Sequence, residues 1–187
     1  MPTDEIRISV RDLVKKFGSQ TVLTGVNLDI AAGETVVIMG GSGCGKTTLL
    51  RLLIGSHQPT SGTISLLGQD IASLDGDGFD TLKKQFGILF QSGALFQSMS
   101  VGDNVALPLQ ENTDLAPETI EMIVKMKLEL VGLRQHANKL PSQISGGMMK
   151  RAGLARAMAM DPKILFYDEP SAGLDPVTSA EIDQLIL

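Results

Sequence analysis

Apolar residues change their spacing along this chain, and the changes divide it into three stretches. Residues 6–39 carry short apolar runs: Ile6-Arg7-Ile8-Ser9-Val10, Val26-Asn27-Leu28-Asp29-Ile30 and Thr35-Val36-Val37-Ile38-Met39. These predict β-strands, with Gly18, Gly25 and Gly33 as turns between them. Thr63-Ile64-Ser65-Leu66-Leu67, closed by Gly68, reads as one more strand of that group. Residues 92–160 are mostly helical by spacing. There, Leu115-Ala116-Pro117-Glu118 opens a helix with Pro and an acid in its first turn. Ile120, Ile123, Val124, Leu128 and Val131 continue it, and Gly132 ends it. Residues 163–187 return to strand and then helix, with Glu181–Leu187 as the helical part. No internal repeat, low-complexity tract or flexible linker interrupts the pattern.

Composition narrows the partners. A chain of 187 residues is one domain with room for a subdomain. Sixteen basic against 21 acidic residues give net charge −5, which argues against a broad grip on nucleic acid. With 4% aromatic residues and no Trp, there is no stacking platform for single strands. One cysteine excludes an internal disulfide and suits a reducing cytosol. No apolar run reaches the roughly 18–20 residues of a membrane span, so a link to a membrane is expected through a partner. The nine methionines read as core filler, and the two histidines lack metal-ligand partners at useful spacing. Asp75-Gly76-Asp77-Gly78 has Phe at position 79 and no Glu at the twelfth place, so it is a turn rather than a calcium loop.

The chemistry enters at Gly40-Gly41-Ser42-Gly43-Cys44-Gly45-Lys46-Thr47. It fits G-x-x-x-x-G-K-[ST] at every specified position, after the apolar run 35–39 and before the helical run Thr48-Leu49-Leu50-Arg51-Leu52-Leu53. Glycines let backbone N–H groups approach phosphate oxygens, and the helix adds its positive N-terminal end. Lys46 is placed to reach the β- and γ-phosphates of a nucleoside triphosphate, and the Thr47 hydroxyl to ligate Mg²⁺. The expected nucleotide-binding set runs from Gly40 through Thr47 and includes Thr48.

Two further constellations follow. Lys163-Ile164-Leu165-Phe166-Tyr167-Asp168-Glu169-Pro170 describes a buried parallel strand ending in two carboxylates. Asp168 suits the Mg²⁺ shell, and Glu169 suits the deprotonation of an attacking water. Alone, this pattern is as readily a solvated acidic turn; beside a complete phosphate loop the chemical reading is the stronger. Ile144-Ser145-Gly146-Gly147-Met148 opens a helix over Met149–Met158 with an N-cap hydroxyl and free N–H groups, in effect a second anion site. An isolated S-G-G would be an ordinary N-cap. Here it precedes Asp168 by 23 residues, with one helix filling most of the gap.

In this order and spacing, the phosphate loop, Gln91 after Phe86-Gly87-Ile88-Leu89-Phe90, Ser145-Gly146-Gly147, the acidic strand and Ser171-Ala172-Gly173-Leu174-Asp175 resemble one family. It is that of the nucleotide-binding subunits of ATP-binding cassette (ABC) transporters, and the resemblance covers essentially the whole chain. It implies an α/β fold: a P-loop NTPase with a RecA-like core, an antiparallel β subdomain and a helical subdomain at roughly 92–160. Residues 1–187 would be a single ATP-binding domain. Phe17, 29 residues before Lys46, falls where the family stacks an aromatic on adenine; a packed core Phe fits nearly as well.

The resemblance also implies ATP and Mg²⁺ as cofactors, with Thr47, Gln91 and Asp168 around the metal. Glu169, Gln91 and Lys46 are the catalytic set. A second ATP-binding subunit would pair head to tail, so that Ser145, Gly146 and Gly147 of one copy cap the γ-phosphate held by the other. Asp175 would report across that interface, and Gln91 would couple metal and water to an integral membrane permease. Within the family, Gln91–Phe96, Asp103–Leu109 and S-G-G-M-M-K-R look like the Mla and Mkl ATPases, which power lipid transport alongside MCE-type lipid-binding proteins. The expected place is the cytoplasmic face of the inner membrane, held there by the permease. Phe96, Met99 and Leu107 would form an apolar groove for a permease helix or else belong to the core.

Two positions depart from the family. Met148 stands where Gln is usual, and a thioether cannot make an amide's hydrogen bonds. Neither His57 nor His136 lies where the family carries a switch histidine after a further strand. The chain reads as a truncated gene product whose last helix face and sheet edge are left uncovered, with hydrolysis in doubt and nucleotide binding much less so. Two other classes stay open. A soluble non-transport ABC ATPase would show a basic face, a coiled-coil insertion or a second cassette, none of which is present. A non-catalytic nucleotide-binding fragment would bind ATP without turnover.

Overall fold

The first two strands outrun their apolar segments. In the computed structural model, which describes residues 5–186, β1 spans Ile6–Phe17 and β2 spans Gln20–Ala31. They form an antiparallel hairpin closed by Gly18 and Ser19, with Gly18 at φ +58°. Irregularities in the register break the alternation that would have marked the full length. Gly25, expected in a turn, sits inside β2 with φ +64° at such an irregularity. β3 (Ser61–Leu66) and β4 (Gln69–Asp70) complete an antiparallel sheet of order β2-β1-β3-β4. A Cβ at Gly62 would stand 2.5 Å from the carbonyls of Arg11 and Asp12, so β3 needs a glycine there. Ile8, Val10, Leu13, Leu23, Ile64 and Leu66 are buried, as are Leu49, Leu52 and Leu53 of α1 (Lys46–Leu53).

No strand forms over Thr35–Met39, contrary to the expectation from its apolar run. It pairs with no described strand, and Val37 and Met39 are 74% and 87% exposed. A β-prone run becomes a strand only when another segment supplies the ladder, which propensity alone cannot arrange.

The chain divides into two compact units, one ending at Thr81 and the other beginning at Leu82. Asp75 accepts a hydrogen bond from the Gly78 N–H (2.8 Å) at the start of α2 (Gly76–Lys83), so the expected turn is a helix entry.

The second unit holds a two-stranded parallel sheet, β5 (Phe86–Leu89) with β6 (Ile164–Tyr167). Parallel neighbours need a long crossover. Here it consists of α3 (Val101–Asn112), α4 (Pro117–Leu130) and α5 (Gly146–Ala157), with short 3-10 turns between α4 and α5. Pro117 occupies the first turn of α4 and Gly132 adopts φ +67° just past its end, as the spacing predicts. α3 lies in the stretch expected to be mostly helical, although Pro108 interrupts its interior. Its start is nevertheless written in Ser100 and Asp103, which form a reciprocal capping box. Val101, Val105, Leu109, Val124, Leu128 and Leu154 join Leu89 in one hydrophobic cluster. Met148, Met149, Met158 and Met160 pack against it, whereas Met122 and Met126 on α4 are more than half exposed.

α5 runs backbone-close to β5. A Cβ at Gly87 would stand 2.1 Å from the Ala157 carbonyl oxygen and 2.8 Å from Leu165. Gly87→Ala therefore forces helix and sheet apart. The expected loss is about 3 kcal/mol of stability, the upper part of the range for overpacking, read as a lower denaturation midpoint. An unchanged midpoint would show that α5 shifts freely.

α6 (Pro176–Ile186) begins five residues before the helix expected from spacing. Among the described residues, no helix is long and apolar enough to cross a membrane.

Candidate functional site

The phosphate loop lies in the first unit. Gly45, the N-cap of α1, has φ +103° and offers no side-chain acceptor to the helix. The first N–H groups of α1 are thus left for an external anion. A Cβ at Gly45 would meet Leu23 Cδ2 at 2.9 Å, so both conformation and space demand glycine. Gly40, Gly41, Ser42 and Gly43 are exposed, and Thr47 and Thr48 are half-buried on the first turn. Lys46 Nζ donates to the Gly40 and Gly41 carbonyls at 2.8 and 3.1 Å, curling back over its own loop.

Cys44 is exposed, with its Sγ only 2.5 Å from where a Gly40 Cβ would stand. Alkylation of Cys44 adds bulk inside the loop and is expected to abolish ATP binding sterically. Quantitatively labelled protein that still binds ATP in a titration would refute this.

Phe17 is 47% exposed at the end of β1 and does not belong to the core. Its ring meets the His57 ring edge-on at 5.8 Å, and Lys15 Nζ stands 4.8 Å from its centroid. A second planar group could stack there.

The carboxylates lie in the second unit, and sheet register places them. Leu89 pairs with Tyr167, and the Asp168 N–H donates to the Leu89 carbonyl at 2.9 Å. Two residues beyond that pair, β5 delivers Gln91 and β6 delivers Glu169. Gln91 Nε2 donates to Glu169 Oε2 at 3.3 Å. Glu169 takes φ +47°, a left-handed conformation that a non-glycine residue holds only when its surroundings impose it. The Glu169 side chain stays exposed, open to water. Among the described residues, no three His, Cys, Asp or Glu side chains converge as a metal cage. The oxygen donors of Asp168 and Gln91 at these strand ends suit magnesium, which needs only one or two protein oxygens when triphosphate and water supply the rest.

Ser145 caps α5, its Oγ accepting from the Met148 N–H at 3.3 Å. Gly146 has open space where a Cβ would stand, while a Cβ at Gly147 would stand 2.5 Å from Thr178 Cγ2. One glycine leaves the helix end clear and the other lets α6 approach. Met148 packs on the hydrophobic cluster, which accounts for an apolar residue in place of the family's Gln.

α5 also grips the segment after Gln91. A Cβ at Gly93, which adopts φ +73°, would stand 2.7 Å from the Met149 carbonyl oxygen, and Arg156 donates to the Gly93 and Ala94 carbonyls at 2.9 and 2.8 Å. Burial lowers the Arg156 pKa. Fully buried Asn104 accepts from the Phe96 N–H and donates to the Phe96, Met99 and Ser100 carbonyls. This holds Phe96 at 54% exposure, while Met99 and Leu107 are half-buried. Local sequence does not single out buried Asn104 and Lys150 or half-buried Arg156, because burial of a polar residue has no short-range mark.

Asp175 caps α6. Its carboxylate accepts from the Val177 and Thr178 N–H groups (3.1 Å each) and the Thr178 hydroxyl (2.6 Å). These bonds, the Thr178 hydroxyl first, hold its pKa below the ordinary aspartate value. The cap's contribution is complete above the unfolded pKa and is lost as the pH falls through the lowered folded value. Amide exchange in the first turn of α6 should therefore accelerate on acidification through that window, and in Asp175→Ala at every pH. Equal exchange in both proteins throughout would deny Asp175 the cap.

Residues 23–172 match the family model described as ABC transporter. The chain is 48% identical over 182 residues to a probable ribonucleotide transport ATP-binding protein, mkl, of Mycobacterium leprae, covering 97% of this chain and 52% of that relative. It is 47% identical over 179 residues to the intermembrane phospholipid transport system ATP-binding protein MlaF of Haemophilus influenzae, covering 96% of this chain and 68% of MlaF. The chain thus spans about half the length of the mycobacterial relatives it matches. A dimeric ATP-binding cassette solved in a post-hydrolysis state with ADP and Pi superposes with TM-score 0.86 at 32% identity, covering 96% of this chain and 81% of the other. The cbiO1 protein of Clostridium perfringens, part of the ABC transporter complex cbiONQ, superposes with TM-score 0.88 at 32% identity, covering 97% and 72%. The fold is that of a P-loop NTPase with antiparallel β and helical parts, and the chain belongs to the ABC transporter family.

Proposed function

We propose that this chain binds ATP with magnesium and hydrolyses it to drive transport through a membrane permease, with lipid as the cargo. The observation that carries the reading is the contact between Gln91 and Glu169, which sets an amide against a water-accessible carboxylate at the ends of two parallel strands. In this reading the N–H groups of Gly41–Thr48 and the Lys46 ammonium hold the phosphates, and adenine stacks on Phe17. Thr47, Gln91 and Asp168 are the residues that would hold magnesium, whose charge would offset that of the β- and γ-phosphate oxygens. Glu169 takes the proton of a water attacking the γ-phosphorus, while Gln91 orients that water.

A second copy of the chain would present Ser145, Gly146 and Gly147 to the γ-phosphate, and the dimeric state of the solved cassette supports this. Exposed Phe96, backed by Asn104, offers a permease helix an apolar contact, although half-buried Met99 and Leu107 add little to it. The name of MlaF supports phospholipid as cargo; an MCE-type lipid-binding protein as a further partner rests only on the resemblance of Gln91–Phe96 and Asp103–Leu109 to the Mla and Mkl group. The mkl relatives carry a ribonucleotide transport name instead, so the choice of lipid rests on the MlaF name. Magnesium-dependent release of phosphate from ATP by the purified chain, and its co-purification with an integral membrane protein, test the two halves. No turnover alongside intact ATP binding would reduce the chain to a nucleotide-binding subunit.

A further inference from the structure

A lysine only 5% exposed, Lys150, stands on α5 four residues after Gly146 begins that helix. Lys150 Nζ donates to the Ala172 carbonyl at 2.6 Å. Ala172 lies on the loop that leaves Glu169, and its own N–H donates to the Glu169 carbonyl at 3.1 Å. The buried ammonium thus holds the far end of a tight turn whose near end is the left-handed Glu169. Burial lowers the Lys150 pKa, and the Glu169 carboxylate opposes that shift, so the two charges sense each other. Gly147 against Thr178 is a second close approach between α5 and the segment after Glu169. On the other side, Gln91 holds the Glu169 carboxylate itself.

A methionine would fill this space without the desolvation penalty of a buried cation. A lysine here therefore calls for a reason beyond packing, and the left-handed turn supplies one. We propose that Lys150 is a positioning residue for Glu169, tying the 169–172 turn to α5 so that the carboxylate stays aimed at the attacking water and moves with the Ser145-Gly146-Gly147 helix end. The role rests on the reading of Glu169 as general base. Lys150 touches neither nucleotide nor water in this account and acts only through the turn.

Steady-state ATP hydrolysis by the full chain tests it. Lys150→Met should lower kcat by roughly 10- to 100-fold, the scale of a misplaced catalytic group, with KM for ATP within about two-fold. Lys150→Arg, which still donates to a carbonyl, should recover most of the rate, and Lys150→Gln part of it. In a Glu169→Gln background, Lys150→Met should cause no further loss, because two residues acting through one group do not add. Full kcat in Lys150→Met, or an additive loss in the double variant, overturns the proposal. So does a Lys150→Arg chain that binds ATP normally yet stays slow. If Lys150→Met unfolds or loses ATP binding while Lys150→Gln keeps full kcat, the lysine is structural and the proposal falls. Full turnover in Glu169→Gln removes the base and this inference together, whereas slow Glu169→Gln beside fast Lys150→Met removes the inference alone.

Discussion

Glu169→Gln is expected to slow ATP hydrolysis by about 10²–10⁴-fold, the usual contribution of a general base, and to leave ATP binding intact. The amide keeps the size of the carboxylate and can still meet Gln91 across 3.3 Å, so the local geometry survives. What it lacks is a basic oxygen able to take the water's proton. The left-handed backbone at position 169, which Asp12, Leu67, Ala94 and Asp161 share, should be unchanged by the isosteric amide. Single-turnover phosphate release measures the chemical step, and a nucleotide titration measures binding. Hydrolysis at the original rate would deprive Glu169 of its role and leave Gln91 without a partner in the chemistry.

Lys46→Ala is expected to weaken nucleotide binding by roughly 10- to 100-fold, in keeping with the loss of a hydrogen bond to a charged group. Lys46 donates to the Gly40 and Gly41 carbonyls, so its ammonium already sits over the loop where phosphate oxygens are expected. Those two carbonyls are exposed and accept water when the lysine is removed, so the variant should remain folded. The readout is the dissociation constant for ATP, with the denaturation midpoint as control. ATP binding at full strength in Lys46→Ala would move the phosphate site away from this loop.

Much of the local structure at the candidate site was legible without coordinates because the patterns that set it are short-range. The phosphate loop, the Ser145 cap and the acidic pair each occupy fewer than ten consecutive residues, and each appears where the spacing put it. The bounds of α4 follow in the same way from Pro117 and Gly132. Errors came where distant segments decide. Gly25 reads as a turn until β1 pairs with β2 and makes it an irregularity within a strand. The run 35–39 reads as a strand until the ladder it needs is sought and not found among the described residues. α3 falls within the stretch 92–160 that reads as mostly helical, but its bounds depend on the Ser100–Asp103 capping box, whose reciprocal bonds only the structure shows.

By itself, the order of residues determined that a glycine-rich loop enters a helix, that two carboxylates end a β-strand, and that a serine caps α5. Backbone conformation and capping bonds reach only a few positions along a chain, so a local pattern suffices for them. Tertiary structure alone decided that Gln91 meets Glu169, 78 residues away, and that Lys150 is buried against a carbonyl 22 residues ahead. Burial and strand register are set by whichever segments fold against one another, and no short stretch of sequence contains both partners.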